Sequence, residues 1–362
     1  MSSPVHVAHL TPTFFHPTSV VGGGDRYPME LAAAQRRLGI DAQVFTYGPR
    51  DEVLDYNGVP VNVRRIRAVV KGNKVNPLGD APWRAARFSE VVHCYQEHTF
   101  STNVGVTLAR VLGRQAWVTD LGGKGLAPSR YFDLGRLVTG YMPISSYAAE
   151  EHRRWSARSV TIGAGVDLKR FVPSYLSPKG YVLFVGRILP LKGIDYLVEA
   201  LPAGMELVVA GEPYDERYLS YLREIAAGKD VVFRHGVSDS DLLQLYRDAL
   251  VTVLPSVPRD RWGGINHRAQ LSALTVMEAN ASGRPAVATA IEAIPEILHD
   301  GENGFLVPPN DAPALRRALE RLRDEPDLAK RMGEAGRALV EKDFSWDAVA
   351  RRSLAAYEAA HA

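Results

Sequence analysis

Two cations set five residues apart give the first chemical signal in this chain. Val185-Gly186-Arg187 ends an apolar run of strand length, and Lys192-Gly193 follows in a loop that contains Pro190. A planar guanidinium and a compact ammonium at that spacing suit two oxygens of a diphosphate. Neutralising a diphosphate that gains charge as its bond breaks is electrostatic catalysis. A pair of solvated surface cations would read the same way, but a strand end is where ligands of parallel sheets sit. A second signal is Gly22-Gly23-Gly24-Asp25, ahead of a helical pattern from Arg26 to Leu38. Asp25 reads as its N-cap, Pro28 is tolerated in the first turn, and Gly39 is placed to end the helix. The glycines let backbone approach a ligand, and free amides at a helix start attract phosphate. The plain alternative is a flexible turn, since the spacing is not Gly-x-Gly-x-x-Gly.

The third signal is the run from Gln270 to Gly283, in which Glu278 lies among apolar residues at the expected start of a helix. Its carboxylate can accept from the vicinal hydroxyls of a ribose, and the helix terminus can face a phosphate. Ser272 is a candidate N-cap, without a capping box because residue 275 is Thr275. The alternative for Glu278 is an exposed helical acid. His93, Glu97 and His98 follow a strand-like run and are candidates for acceptor contact, yet their histidines lack the i, i+4 spacing of metal ligands on a helix and suit structural roles equally. Asp239-Ser240-Asp241 has the form Asp-x-Asp, but it precedes the helical run Leu242 to Ala249 and reads better as capping. Arg64, Arg65, Arg67, Lys71 and Lys74, interleaved with Ile66, Val69 and Val70, form a basic cluster that would suit an anionic membrane surface; an exposed strand end is the plainer reading. Arg259 to Arg268, with Trp262, two glycines and His267, reads as a lid or a variable surface loop.

These residues need a scaffold, and the chain spells one out. Strand-length apolar runs alternate with helical patterns, the sequence form of parallel-sheet α/β units. One series comprises Val5 to Leu10, Asp41 to Tyr47, Val59 to Arg64, Val91 to Cys94, Ala116 to Thr119 and Tyr141 to Ile144. The second comprises Tyr181 to Val185, Glu206 to Ala210, Val231 to Arg234, Val251 to Pro255, Pro285 to Ala288 and Gly304 to Val307. Two series predict two domains, 1–172 and 173–346, with a break in the Pro173 to Lys179 region and a site in the cleft between the sheets. Leu315, Leu319 and Leu322 carry a helical period, and a last helix is expected from Asp347 to Ala360. Composition agrees: 362 residues, 46% hydrophobic, one cysteine and a net charge of +2 exclude a disulfide scaffold, a disordered chain and a chain built mainly to hold nucleic acid. No apolar run approaches the roughly 18 to 20 residues that span a bilayer, and the first ten residues lack the form of a secretory signal, so the expectation is a cytoplasmic protein.

Taken in order, the Gly-rich loop, Gly163-Ala-Gly-Val-Asp167 with Phe171, VGRILPLKGIDYLVEAL, ELVVAGEP, VVFRHGVSDSDLLQLYRDALVTVLPS and VMEANASGRPAVATAIEAIPEILHDGENGFLVPPND resemble the retaining glycosyltransferases of family 4. The resemblance implies the GT-B fold, two Rossmann-like domains whose parallel sheets face each other across a cleft, with the last helix returning to the first domain. It implies sugar transfer from a UDP- or GDP-sugar to an acceptor hydroxyl with retained configuration and no obligatory metal. Donor contacts are implied for Gly23, Gly24, Arg187, Lys192, Gln270, Leu274, Thr275 and Glu278. In the family Arg187 and Lys192 match the positions that hold the diphosphate. This chain departs from the pattern twice. Gln270 stands where the family's Glu-x7-Glu places its first acid, and Thr119-Asp120-Leu121-Gly122 stands where many members read Thr-x-His-Gly, which makes Asp120 the nearest polar candidate beside donor or acceptor. Two other classes remain open from sequence: a nucleotide-sugar epimerase or hydrolase of similar fold, and a non-catalytic sugar-nucleotide binder.

Overall fold

The computed structural model describes residues 5–14, 23–70, 76–122, 127, 129, 133–152, 158–174, 178–265 and 270–360. Gly22, Lys71, Lys74, His267 and Arg268 lie outside them. The chain divides into two compact units, Met1–Gly165 with Trp346–Ala362, and Val166–Ser345.

In unit 1, β1 (His6–Phe14), α1 (Gly23–Arg37), β2 (Asp41–Gly48), β3 (Glu52–Tyr56), β4 (Val59–Arg65), the short pair β5 (Ala68–Val69) and β6 (Pro77–Leu78), α2 (Ala81–Phe88), β7 (Val91–Tyr95), α3 (Phe100–Val111), β8 (Gln115–Thr119), β9 (Gly140–Tyr141), α4 (Ser146–His152) and β10 (Arg158–Ser159) follow in order. The described residues form an eight-stranded sheet in the order β10-β9-β8-β7-β1-β2-β4-β3, parallel except for β3 against β4. Strands β7 and β8 are buried at every position, as strands covered on both faces must be, and their apolar residues do not alternate with exposed polar ones. The hairpin joining β3 to β4 turns at Asn57 and Gly58, both at positive φ (52° and 80°), the Asn-Gly preference of a type I′ turn. The helix predicted from Arg26 begins at Gly23, so Asp25 lies within its first turn and accepts from the Thr13 hydroxyl at 3.0 Å.

In unit 2, β11 (Val182–Val185), α5 (Ile194–Ala200), β12 (Leu207–Ala210), α6 (Glu216–Ile225), β13 (Val231–Arg234), α7 (Asp239–Asp248), β14 (Val251–Leu254), α8 (Leu274–Ala281), β15 (Ala286–Thr289), β16 (Gly304–Val307), α9 (Ala312–Asp324) and α10 (Pro326–Asp343) build a wholly parallel sheet in the order β13-β12-β11-β14-β15-β16. Numbered within the unit this is 3-2-1-4-5-6, the Rossmann order, whose direction reverses between β11 and β14. Leu315, Leu319 and Leu322 of α9 enter a core with Phe184, Leu197 and Leu222; truncating one such leucine costs about 2–5 kcal/mol. The last helix, α11 (Trp346–Glu358), belongs to unit 1. Arg37 donates to Asp347 (2.6 Å), Gln35 to Ser353 (2.9 Å), and Trp346 meets Tyr27 edge to face at 5.0 Å.

The break in contacts falls after Gly165, earlier than the expected 172/173. Val166 donates to Phe344 O at 2.8 Å, and Phe171 packs edge-on against Tyr246 while its carbonyl accepts from Arg337 at 2.8 Å. Those bonds tie residues 166–171 to unit 2.

Candidate functional site

In an open parallel sheet, the strand-order reversal leaves a crevice beyond the carboxyl ends of the two central strands. In unit 2 those ends are Val185 of β11 and Leu254 of β14, and the sequence-selected cations leave from the first. Arg187 is exposed, with its guanidinium 5.7 Å from the centroid of the Tyr214 ring. The chain then forms a 3-10 turn, Pro190–Lys192, and reverses at Gly193 (φ 64°). Glycine is required there, because a Cβ would run into the carbonyl oxygen of Pro255 just after β14. The same close approach leaves Lys192 half-buried. Burial, then the charge of Arg187, pull its ammonium down to about 8, while the carboxylate of Glu292 opposes them. Lys192 thus sits at the crevice as a cation that its surroundings do not fully neutralise, a favourable place for an anionic ligand.

The loop after β14 leads to Gln270, whose side chain is 5% exposed and donates to Ser256 Oγ at 2.7 Å; its backbone amide donates to Glu292 Oε2. Helix α8 starts at Leu274 behind Ala273, with no side-chain cap. Ser272 is therefore not the N-cap: the chain enters the helix one residue later, through a residue with no acceptor to offer. An uncapped start leaves amide dipoles of Leu274 and Thr275 for an anion. Glu278 lies in the body of α8 and not at its start; it is half-buried and accepts from Tyr246 Oη at 2.6 Å. Burial, reinforced by that carboxylate, raises the Tyr246 hydroxyl well above its ordinary range, so it stays a donor. Tyr246, Ser256 and Glu292 lie within the runs that carry the family resemblance, but no spacing marks them or Tyr214 as site residues; only the fold brings them to Glu278, Gln270, Arg187 and Lys192.

In unit 1 the order reverses between β1 and β7. Gly23 and Gly24 open α1 beyond β1, and a Cβ on Gly24 would make only an ordinary 3.8 Å contact with Leu121. Beyond β7, Gln96 takes a positive φ of 67°. Glu97 is 3% exposed and accepts from Tyr141 Oη at 3.2 Å, and His98 Nε2 stands 3.9 Å from Glu97 Oε2. Asp120, 4% exposed beyond β8, accepts from Gly122 N at 3.3 Å. His93 must be removed from the acceptor candidates. It is 0% exposed, and its ring nitrogens lie 2.7 Å from Thr119 Oγ1 and 2.7 Å from Tyr357 Oη. Since Thr119 donates to Met142 O (2.8 Å), His93 Nε2–H donates to Thr119 and Nδ1 accepts from Tyr357. Burial, then His9, hold its pKa well below 6.5: it is a neutral structural histidine.

The remaining candidates resolve locally. Ser238 caps α7 by accepting from Asp241 N at 3.1 Å, and Asp239 pairs with Arg170 at 2.7 Å, so Asp239-Ser240-Asp241 forms the acidic first turn behind the cap. Among the described residues no group of three or more His, Cys, Asp or Glu could hold a metal ion. Arg64 is not an open basic site: Asp80 takes it with two oxygens, at 2.9 and 3.0 Å, and Asp51 adds a third at 3.2 Å. No helix among the described residues is long and apolar enough to cross a membrane. Arg261 is fixed by Asp195 at 2.6 Å and stacks 4.3 Å from the centroid of Tyr196, while Trp262 stands edge-on to Tyr218 and Tyr221. Arg261, Trp262, Tyr218 and Tyr221, with Pro190, line a cavity of about 640 Å³.

Residues 167–339 match the family model for glycosyl transferases group 1. Over 205 residues the chain is 32% identical to the MMP α-(1→4)-mannosyltransferase of Mycolicibacterium hassiacum, covering 54% of this chain and 47% of that protein. It is 33% identical over 243 residues to the phosphatidyl-myo-inositol mannosyltransferase of Mycobacterium leprae, covering 61% and 59%. The chain thus spans about half the length of these curated relatives. Among solved structures, sucrose-phosphate synthase from Thermosynechococcus elongatus superposes with a TM-score of 0.73 at 21% identity over 98% of both chains. Anabaena HepE, in complex with UDP and glucose, superposes with a TM-score of 0.73 at 14% identity, covering 98% of this chain and 100% of that one. These likenesses cover both units and give the chain the GT-B fold. With its Rossmann-ordered sheet and the Arg187 and Lys192 loop at the switch point, the segment 167–339 is similar to the glycosyl transferases group 1 family, whose model it matches.

Proposed function

We propose that this chain is a retaining glycosyltransferase that moves a sugar from a UDP- or GDP-sugar to a hydroxyl of a small-molecule, natural-product, lipid or glycan acceptor. Unit 2 takes the donor and unit 1 the acceptor. The observation that carries this reading is Lys192, half-buried at the switch point of a Rossmann-ordered sheet, with Arg187 as its cationic neighbour. A diphosphate there receives the fork of Arg187, the ammonium of Lys192 and the uncapped amides of Leu274 and Thr275. Glu278 accepts from the ribose hydroxyls while Tyr246 holds its carboxylate in place.

As the bond from the anomeric carbon to the diphosphate oxygen lengthens, negative charge collects on that oxygen, where Arg187 and Lys192 stabilise it. The acceptor hydroxyl attacks from the same face and passes its proton to the departing diphosphate. Glu97, His98 and Asp120 are the acceptor-side polar groups of this scheme. The curated relatives named as mannosyltransferases support the class of reaction, and the UDP in HepE supports a nucleotide donor.

A panel of nucleotide sugars screened for protection against thermal unfolding names the donor. Product analysis with donor alone and with acceptor then separates transfer from epimerisation and hydrolysis. Retained configuration at the anomeric carbon is expected; conversion of donor without an acceptor would replace this reading.

A further inference from the structure

Glu292 follows β15 and holds a left-handed backbone, φ 49°, which L side chains seldom adopt and which glycine would take freely. Its carboxylate accepts from the backbone amide of Gln270, and the carbonyl of Gln270 accepts from Ala293 N at 3.3 Å. These two bonds fasten the turn after β15 to the segment that enters α8. The same carboxylate acts on Lys192, where it favours the charged form against burial and Arg187. A residue kept merely to make the turn would not need its carboxylate bonded to the Gln270 amide, and strained backbones concentrate where function requires a particular side chain.

We propose that Glu292 is a positioning residue of the diphosphate site: it fixes the entry to α8 through the Gln270 amide and brings a negative charge to the side of the site opposite Arg187. This rests on the reading of Arg187 and Lys192 as the diphosphate site. Lys192 answers to Arg187 on its own loop and to Glu292 from the turn after β15. Removing the Glu292 charge leaves burial and Arg187 unopposed, so Lys192 loses its proton at lower pH.

Glu292→Gln separates charge from hydrogen bonding, because the amide oxygen still accepts from Gln270. Calorimetric binding of UDP, GDP and inorganic pyrophosphate from pH 6 to 10 is the measurement, with kcat/KM for the donor followed over the same range. The alkaline fall in binding is expected to move down by about half a pH unit or more in Glu292→Gln. It is expected to be absent in Lys192→Arg, whose guanidinium does not titrate there, and Glu292→Gln added to Lys192→Arg is expected to shift nothing. Glu292→Gly, which suits the backbone, is expected to fold and to show the same downward shift. A profile in Glu292→Gln that superimposes on the wild type, or a shift that persists on the Lys192→Arg background, overturns the proposal. Wild-type protein that binds none of the three probes overturns the diphosphate site itself, which distinguishes the two failures.

Discussion

To hold a diphosphate as proposed, Lys192 must be sheltered enough to act strongly on the ligand and still carry a proton, and its surroundings pull it both ways. Burial and Arg187 lower it to about 8 and Glu292 restrains the fall. An anionic ligand binds the ammonium better than the amine, so the bound pKa lies above the free one. Donor affinity should therefore be constant below about pH 8 and fall up to tenfold per pH unit above it, until the bound form also titrates. A donor affinity that is flat from pH 7.5 to 9.5 would show that Lys192 does not hold the ligand. Arg187→Ala and Lys192→Ala should each cut kcat/KM by about 10²-fold or more while thermal unfolding stays near that of the wild type; near-normal rates in both would remove the diphosphate site. The residue types and spacing of this pair were legible in sequence because a strand end followed by a cation needs no tertiary information. Tyr246, Ser256 and Glu292 were not, since each reaches the site from a different strand or helix.

At the scale of elements, the site depends on how closely backbones approach at the carboxyl end of the unit 2 sheet. Gly211, after β12, lies against Gly186, and a Cβ there would collide with the Gly186 carbonyl oxygen. Gly211→Ala should therefore displace the Gly186-Arg187 turn and cost about 1–3 kcal/mol of stability. Urea unfolding together with donor binding checks this; full stability with full binding would show that the two turns separate freely. The strands behind these turns were readable as apolar runs, because both faces of a parallel sheet are covered. The hairpin strand β3 was missed: it alternates half-buried and exposed residues, and its signal is the turn, Asn57-Gly58. The expected strand from Tyr141 to Ile144 shrinks to Gly140–Tyr141. Apolar composition marks burial there without saying where pairing stops.

Over the whole molecule, unit 1 carries a buried polar array with a measurable consequence. His9, 0% exposed, lies 2.7 Å from Tyr95 Oη and 2.9 Å from Gln35 Oε1, and Gln35 reaches Ser353 of α11. Burial lowers His9 to about 4, and His93 falls well below 6.5. Below pH 6.5 the unfolded chain takes up protons that folded His9 and His93 refuse, so stability declines as pH falls from about 6.5 toward 4. Each histidine contributes up to about 1.4 kcal/mol per pH unit in that window. Unfolding midpoints of unit 1 by near-UV circular dichroism should drop between pH 7 and 5; unchanged midpoints would mean that these histidines are protonated in place. Tyr357→Phe, which takes from His93 Nδ1 its donor in α11, should cost about 1–3 kcal/mol for the buried acceptor left unpaired.

By itself the sequence determined two strand-helix series, the cations at a strand end, the Gly-rich helix start and the periodic leucines of α9, because each is a local pattern of burial, charge or backbone freedom. Only the tertiary structure decided that His93 is a core residue, that Arg64 is neutralised by Asp80, that residues 166–171 belong with unit 2, and that Glu292 bonds the Gln270 amide. Those facts depend on distances between residues far apart in the chain, and hydrogen-bond partners and burial follow from packing that no spacing along the sequence encodes.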